Sequence, residues 1–346
     1  MAVSTKTALA PAASSNVATK NLASADPGNG NGGNGAARFV EGWRALPTLP
    51  AVLFQFLGLV ADRETADEQL PELIWTDPAL LARAISAVNA STAERNLPAG
   101  QIRQAIASLG RERLRQLAYT TPLLRSVEPM RTGFHPATFW ERSLLCASVC
   151  ETLAQQLGLT APAQYYVAGL FHDIGYLKVL QEKPAALRTV IERWTHRPGD
   201  LLEMESEAFG MDHCRQGLEL ASQLRLPQWI RPAIGEHHCA TGDSERIVRV
   251  TCIASAFCSF KGIDFLPART LSPSAREREM KEIIRRLLPE LPEESASEIL
   301  AELKQTVTPV RNRISSMLAE LHPRAGRETQ AGIETAVLRT VYTGII

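Results

Sequence analysis

From about residue 45 onward, apolar residues recur at the three- and four-residue spacing that is typical of amphipathic helices. Residues 76–91 show the pattern clearly, because Asp77 can cap a helix and Pro78 suits its first turn. The apolar stripe of that segment consists of Leu81, Ala84, Ile85 and Val88. Alternating runs of the kind that form β-strands are scarce. The pattern therefore predicts an all-α, multi-helix bundle.

Proline, glycine and aspartate residues predict several helix boundaries. A helix should begin near Pro50 and another at Pro232, while Gly110 should separate two helices and Gly158 should end one. Asp212 is a predicted N-cap. The last apolar run, residues 333–346, fits a helix or a strand equally well.

Composition changes at both ends of the chain. Residues 1–37 are rich in Ala, Ser, Asn and Gly, so we expect a disordered N-terminal tail or tether. Residues 45–260 contain the regular helical pattern and are predicted to form the main domain. Residues 270–346 are more charged and predict a C-terminal helical extension, which can pack on the main domain or form a separate interaction surface.

The charge balance indicates which binding partners are expected, and the cysteines indicate the cellular compartment. Lys and Arg together number 37, as do Asp and Glu, so overall charge gives no attraction to nucleic acid or to an anionic membrane. A local basic cluster, Arg111, Arg113 and Arg115, is interrupted by Glu112 and fits an exposed helix face. We find no apolar run of about 18 residues and no signal-peptide core. The six cysteines form no CxxC pair, which favours reduced cysteines in a cytoplasmic protein.

Four of the seven histidines form a candidate chemical cluster with one aspartate: His172, Asp173, His213, His237 and His238. Imidazole and carboxylate are good ligands for iron, manganese and zinc. Because 41 residues separate His172 from His213, and 24 separate His213 from His237, several helices must converge to bring them together. A metal in a notch between helices would explain the His172–Asp173 pair. So would a hydrogen-bonded core histidine beside a capping aspartate.

The sequence also resembles a known family. "AGLFHDIGYLKVL" is similar to the HDIG motif of the HD superfamily of metal-dependent phosphohydrolases. "LPTLPAVLFQFL", "IWTDPALLARAISAVNAS" and "IRQAIASLGRERLRQL" resemble the N-terminal blocks of the HDOD domain, and "GMDHCRQGLELASQLRLPQWIRPAIGEHH" follows its later pattern. The resemblance covers residues 45–260 and implies a helical half over 45–130 and an HD-like half over 131–260. It implies a bacterial signalling module, whereas several other HDIG families cleave phosphoesters, including cyclic dinucleotides.

Only some of the residues that the resemblance implies for the HD metal site are present in this sequence. His172 and Asp173 match the metal-binding pair, and the other three histidines of the cluster match positions used by binuclear relatives. Arg142 stands where catalytic relatives carry a histidine, and Ala254-Ser255-Ala256 stands where they carry an aspartate ligand. Arginine has no lone pair and keeps its charge, so we expect Arg142 to pair with Asp173 or to grip a phosphate-bearing ligand.

These observations predict a non-enzymatic regulatory protein that binds signalling proteins or a phosphate-bearing small ligand. No cofactor is required, although one divalent iron or manganese ion could sit on His172, Asp173 and either His237 or His238. The alternative is a metal-dependent phosphohydrolase or phosphodiesterase with an altered ligand set. Lys178 fits a substrate-phosphate contact or a surface lysine, and the acidic residues Glu203, Glu205 and Glu207 fit a solvated face or a metal role. Oligomeric state is not predicted.

Overall fold

The computed structural model describes residues 46–48, 50–62, 69–91, 96–121, 133–196, 199–264 and 272–319. Within these ranges the structure is helical and contains no β-strand, which confirms the all-α prediction. The predicted N-terminal tail, residues 1–37, and the ambiguous apolar run at 333–346 lie outside the described residues. In the described ranges, no helix has both the length and the apolar content needed to cross a bilayer.

The N-terminal half is built from five helices within the described ranges. They are α1 (Pro50–Ala61), α2 (Gln69–Ile74), α3 (Pro78–Ser91), α4 (Ala99–Ala107) and α5 (Gly110–Thr120). Several sequence signals are confirmed here: α1 begins at Pro50, and Asp77 Oδ1 accepts a hydrogen bond of 2.7 Å from the Leu80 amide at the start of α3. Gly110 has a φ of +75°, which glycine adopts without strain, and it separates α4 from α5.

The HD-like half follows with α6 (Pro136–Gln156), α7 (Pro162–Phe171), α8 (Gly175–Glu182), α9 (Pro184–His196), α10 (Leu201–Phe209), α11 (His213–Gln223), α12 (Arg231–Glu236) and α13 (Arg246–Phe260). A short 3-10 turn, Gln228–Ile230, precedes α12. Gly158 follows the end of α6, and Asp212 caps α11 by accepting a 2.8 Å hydrogen bond from the Arg215 amide. These boundaries agree with the sequence.

Asp77 joins the two halves. It is fully buried, and besides capping α3 its Oδ2 accepts hydrogen bonds from the Thr48 hydroxyl and from Trp140 Nε1, the latter at 2.6 Å. Trp140 belongs to α6, so one carboxylate connects the segment before α1, the start of α3 and the longest helix of the HD-like half.

The extension supplies two further helices, α14 (Pro273–Leu287) and α15 (Ser295–Ala319). Their buried residues Met280, Ile284, Leu287, Leu300 and Leu303 share one hydrophobic cluster with Val149 and Leu153 of α6 and with Ile253 and Phe257 of α13. The described part of the extension therefore packs on α6 and α13. Arg249 of α13 reinforces this contact by donating to the Leu287 carbonyl at 3.0 Å and to Glu290 at 3.1 Å.

Two glycines permit the helix crossings that form the site. A Cβ at Gly169 would lie 2.8 Å from the backbone of Ala147, where α7 packs on α6. A Cβ at Gly175 would lie 2.0 Å from the carbonyl oxygen of His213, where α8 meets the start of α11. Only a hydrogen atom fits in these positions, and the second crossing brings His213 close to Asp173.

Candidate functional site

His172 and Asp173 lie in the turn between α7 and α8, and both are buried. They are therefore not two successive positions on one continuous helix, which is how both side chains can face the interior. The pair lies in a notch between helices, and His172 is also a hydrogen-bonded core histidine, so both interpretations stay open. What occupies that notch is decided by the atoms around the Asp173 carboxylate.

The histidines of the predicted cluster converge on Asp173. Nε2 of His172 lies 3.0 Å from Oδ2, while Nε2 of His213 and Nε2 of His237 each lie 3.4 Å from Oδ1. His213 opens α11 and His237 directly follows α12, so three separate segments meet at one carboxylate. His238 joins the group through His213, since their Nε2 atoms are 3.2 Å apart.

Two of these histidines use Nδ1 to bind a backbone carbonyl and turn Nε2 toward Asp173. Nδ1 of His172 donates to the Gly169 carbonyl at 2.7 Å, and Nδ1 of His237 donates to the Ala233 carbonyl at 3.0 Å. Among the described residues, Nε2 of each ring is buried without a hydrogen-bond partner. In the neutral imidazole that Nε2 carries a lone pair, as a metal ligand does.

Burial and neighbouring charges shift the pKa values of the groups in this cluster in different directions. Burial opposes ionisation of Asp173, but the neighbouring histidines, His172 foremost, hold its pKa well below the usual range. Burial lowers the pKa of His237 to about 4, which keeps that ring neutral at pH 7. Burial would also lower the pKa of His213, yet the Glu205 carboxylate raises it well above its usual value.

Arg142 of α6 contacts the Asp173 carboxylate at Oδ2. Its Nε donates to Asp173 Oδ2 at 3.3 Å, so the ion pair expected from the sequence is present. Its other two nitrogens donate to Asp264 Oδ1 at 2.6 Å, the Ile263 carbonyl at 3.1 Å, Ser259 Oγ at 3.3 Å and Ser255 Oγ at 2.8 Å. All three guanidinium nitrogens are thus engaged within the protein.

Sequence reasoning missed two of these partners. Ser255 is the member of Ala254-Ser255-Ala256 that faces Arg142, and its hydroxyl oxygen accepts from the guanidinium at 2.8 Å. Asp264 lies beyond the end of α13 and pairs with the same guanidinium. No sequence signal marks Asp264, because its role depends on how the chain after α13 returns to α6.

Glu205 differs from its acidic neighbours. Glu203 and Glu207 are exposed, as a solvated face requires, whereas Glu205 is fully buried, so that interpretation is wrong for Glu205 alone. Its carboxylate accepts from the His213 amide at 2.9 Å, from His213 Nδ1 at 2.6 Å and from the Tyr176 hydroxyl. The Tyr176 ring stacks on His213 with centroids 4.4 Å apart, which fixes the orientation of that imidazole.

Lys178 is not the surface lysine that the sequence allowed. It is buried in α8, and its Nζ donates to Glu219 of α11 at 2.6 Å. That ion pair links α8 to α11 near the crossing at Gly175.

The helical architecture and the His172–Asp173 corner define an HD-domain-like bundle. The HDOD domain family matches residues 46–240, which is more than half of the chain. The chain therefore belongs to the HDOD domain family.

The chain is similar to several solved structures, and the two with TM-scores above 0.5 agree with this fold. The response regulator MmoQ from Methylococcus capsulatus str. Bath is 24% identical, with a TM-score of 0.57 over 75% of this chain and 98% of that one. A virulence factor from Campylobacter jejuni is 15% identical, with a TM-score of 0.53 over 82% and 100% of the two chains. An HDOD domain protein from Geobacter sulfurreducens is 25% identical, with a TM-score of 0.46 over 82% and 97%. A search of curated proteins found no match.

Proposed function

We propose that this chain is a regulatory HDOD protein that acts in the bacterial cytoplasm by binding signalling partners, and that it does not catalyse a reaction. The observation that carries the proposal is the position of Arg142, whose Nε donates to Asp173 Oδ2 at 3.3 Å. A second metal ion would need that oxygen and a ligand on this side of it. The guanidinium offers no lone pair and carries a permanent positive charge.

The other expected ligand is absent on the same side. Ser255 stands beside Arg142 with a hydroxyl group, which is a much weaker ligand than a carboxylate. Two-metal hydrolysis requires both ions to clamp the attacking and leaving oxygens. The residues around Arg142 do not fit such a centre, so the former hydrolytic pocket would serve as a salt-bridged core.

The contacts of Arg142 argue against a phosphate-bearing ligand in this pocket. Arg142 is only 7% exposed, and its nitrogens already have acceptors in Asp173, Asp264 and Ser255. A phosphate would have to displace carboxylates that are already paired. Lys178 is likewise committed to Glu219.

A second candidate function is a phosphohydrolase with one metal ion, and the unpartnered Nε2 atoms of His172 and His237 favour it. Together with an Asp173 oxygen they could hold one iron or manganese ion, which would polarise a phosphoryl oxygen. The contribution of the chain would be to orient both rings through the Gly169 and Ala233 carbonyls.

The test is to measure metal content together with hydrolysis of bis-p-nitrophenyl phosphate and cyclic dinucleotides, with added Mn²⁺ or Fe²⁺. We expect no turnover above background. We expect His172→Ala to lower the melting temperature with or without Mn²⁺, because the variant removes a buried ring and its hydrogen bond. His196→Ala, at the exposed end of α9, is the matched control. Stoichiometric metal and hydrolysis that His172→Ala abolishes would support the second candidate instead.

A gain-of-binding variant tests the role of Arg142 directly. Arg142→His combined with Ser255→Asp removes the guanidinium and adds two ligands at the same place. We expect Mn²⁺ to raise the melting temperature of the double variant and to leave that of the wild type unchanged. An equal rise in both proteins would show that Arg142 does not exclude a metal.

A further inference from the structure

A second group of metal-binding atoms lies on the other side of Asp173 from Arg142. It consists of His213, Cys214, His237 and His238, whose potential ligand atoms all lie within 4.8 Å of one another. Cys214 is buried and follows His213 in the first turn of α11, whereas His238 is exposed and follows α12. Cys214 is not among the ligands that the sequence indicates, which are only imidazoles and carboxylates.

The distances in this group fit a tetrahedral zinc site. His213 Nε2 lies 3.5 Å from Cys214 Sγ and 3.2 Å from His238 Nε2. Zinc bonds of about 2.3 Å to sulfur and about 2.05 Å to nitrogen give tetrahedral edges of roughly 3.6 Å and 3.3 Å, respectively. Both observed distances agree with these edges, and the other distances between potential ligand atoms of the group lie within 4.8 Å.

The rings are also held in the orientation that zinc requires. Nδ1 of His213 donates to the buried Glu205 carboxylate at 2.6 Å, which leaves Nε2 as the ligand atom. Nδ1 of His237 donates to the Ala233 carbonyl, and its buried Nε2 has no hydrogen-bond partner among the described residues. A carboxylate or carbonyl behind each histidine is the usual arrangement around bound zinc.

We propose that His213, Cys214, His237 and His238 form a closed zinc site that ties the start of α11 to the turn after α12. A thiolate ligand favours Zn²⁺ over the hard ions Mn²⁺ and Mg²⁺. On binding, the S–H bond of Cys214 and the Nε2–H bond of the protonated His213 break, Zn–S and Zn–N bonds form, and both protons pass to solvent. Four protein ligands leave no open position for substrate, so the ion is structural. Because His237 Nε2 can bind only one ion, this zinc site and a single metal ion on His172, Asp173 and His237 exclude each other.

The experiment uses the full-length metal-free protein titrated with Co²⁺ and, separately, with Zn²⁺ against a chromophoric chelator. We expect one Co²⁺ per chain, with the visible bands of tetrahedral cobalt and a sulfur-to-cobalt charge-transfer band in the near ultraviolet. Cys214→Ser should abolish the charge-transfer band. Cys239→Ser is the matched control, because Cys239 is an exposed cysteine next to His238 and lies outside the group. Its spectrum should match that of the wild type.

Two further variants test which residues bind the ion. Glu205→Gln should weaken Zn²⁺ binding about 10- to 100-fold, because the carboxylate behind His213 is lost. His172→Ala should retain the charge-transfer band, since His172 is not in the group. Absence of Co²⁺ binding, or binding that is insensitive to Cys214→Ser but lost in His172→Ala, would overturn the proposal. An unchanged melting temperature of metal-free Cys214→Ser would establish that the variant folds.

Discussion

The Nε atom of Arg142 lies 3.3 Å from Oδ2 of Asp173, and neither side chain is more than 8% exposed. Oδ1 of the same carboxylate lies 3.4 Å from His213 Nε2 and 3.4 Å from His237 Nε2. Oδ2 of Asp173 therefore faces a permanent cation and the His172 ring, whose Nε2 is 3.0 Å away, whereas Oδ1 faces two further imidazoles. The permanent cation is therefore confined to Oδ2, and the donor atoms of His213 and His237 lie at Oδ1.

We expect Arg142→Ala to lower the free energy of unfolding by about 3–5 kcal/mol, because Asp173 and Asp264 would be left without their shared cation in the interior. Arg142→Lys keeps the charge but loses the planar fork, so it should have a smaller effect. Denaturant unfolding monitored by circular dichroism gives both values. A loss below about 1 kcal/mol for Arg142→Ala would show that the pair is not structurally important.

Much of the fold could be predicted because its signals are local. Pro50, Asp77 and Gly158 mark helix boundaries through their own backbone preferences, and the structure places them there. The burial of Glu205 could not be predicted, because it alternates with exposed glutamates along the same helix. The proximity of Cys214 to His238 is equally hidden, since it depends on the close crossing of α8 and α11 at Gly175 and on the position of α12.

Asp77 should be among the most sensitive polar residues of the N-terminal half. Asp77→Ala removes a helix cap and leaves the buried donors of Thr48 and Trp140 without an acceptor, which should cost roughly 3 kcal/mol. Asp200→Ala is the matched control, because Asp200 caps α10 from an exposed position and makes no such buried contacts in the described structure. Its loss should be about 1 kcal/mol. Equal losses in the two variants would contradict the role of Asp77 as a joint between halves.

The buried Asp77 carboxylate should also make the stability of the protein depend on pH. Burial raises the pKa of Asp77 above its ordinary value of 3.8, although its hydrogen bonds oppose the shift. The stabilisation associated with the protonated form is complete below pH 3.8 and is lost as the pH rises through the folded-state pKa. Asp77→Asn cannot ionise. The stability of the wild type relative to Asp77→Asn should therefore fall over this interval, as measured by unfolding at several pH values. A difference that is constant with pH would contradict the raised pKa.

Gly175 should not tolerate a side chain. The Cβ of Gly175→Ala would lie 2.0 Å from the carbonyl oxygen of His213, and a backbone atom cannot move aside as a flexible side chain can. We expect a large loss of stability and displacement of α11 from Asp173, seen as a lower melting temperature and altered histidine NMR signals. Gly58→Ala in α1 is the matched control, because a Cβ there meets no atom within 4 Å. It should be neutral or slightly stabilising, by up to about 1 kcal/mol. Similar melting temperatures for the two variants would contradict the close crossing.

The C-terminal extension should be inseparable from the main domain. Leu303 of α15 is fully buried in the cluster that also contains Phe257 of α13 and Val149 of α6. Leu303→Ala should therefore cost about 2–5 kcal/mol, whereas Glu302→Ala, exposed on the same helix, should change stability by no more than about 0.5 kcal/mol.

Deleting residues 270–346 would expose the apolar faces of α6 and α13 together, so the truncated protein should bind a hydrophobic dye and aggregate. Because α6 carries Arg142 and α13 carries Ser255, the deletion should also loosen the contacts that hold the guanidinium on Asp173. A partner that no longer binds the truncated chain could thus be lost through unfolding rather than through a missing surface. Exposed-residue variants such as Glu302→Ala distinguish the two causes. A soluble truncated protein with the wild-type melting temperature would show that the extension is an independent unit.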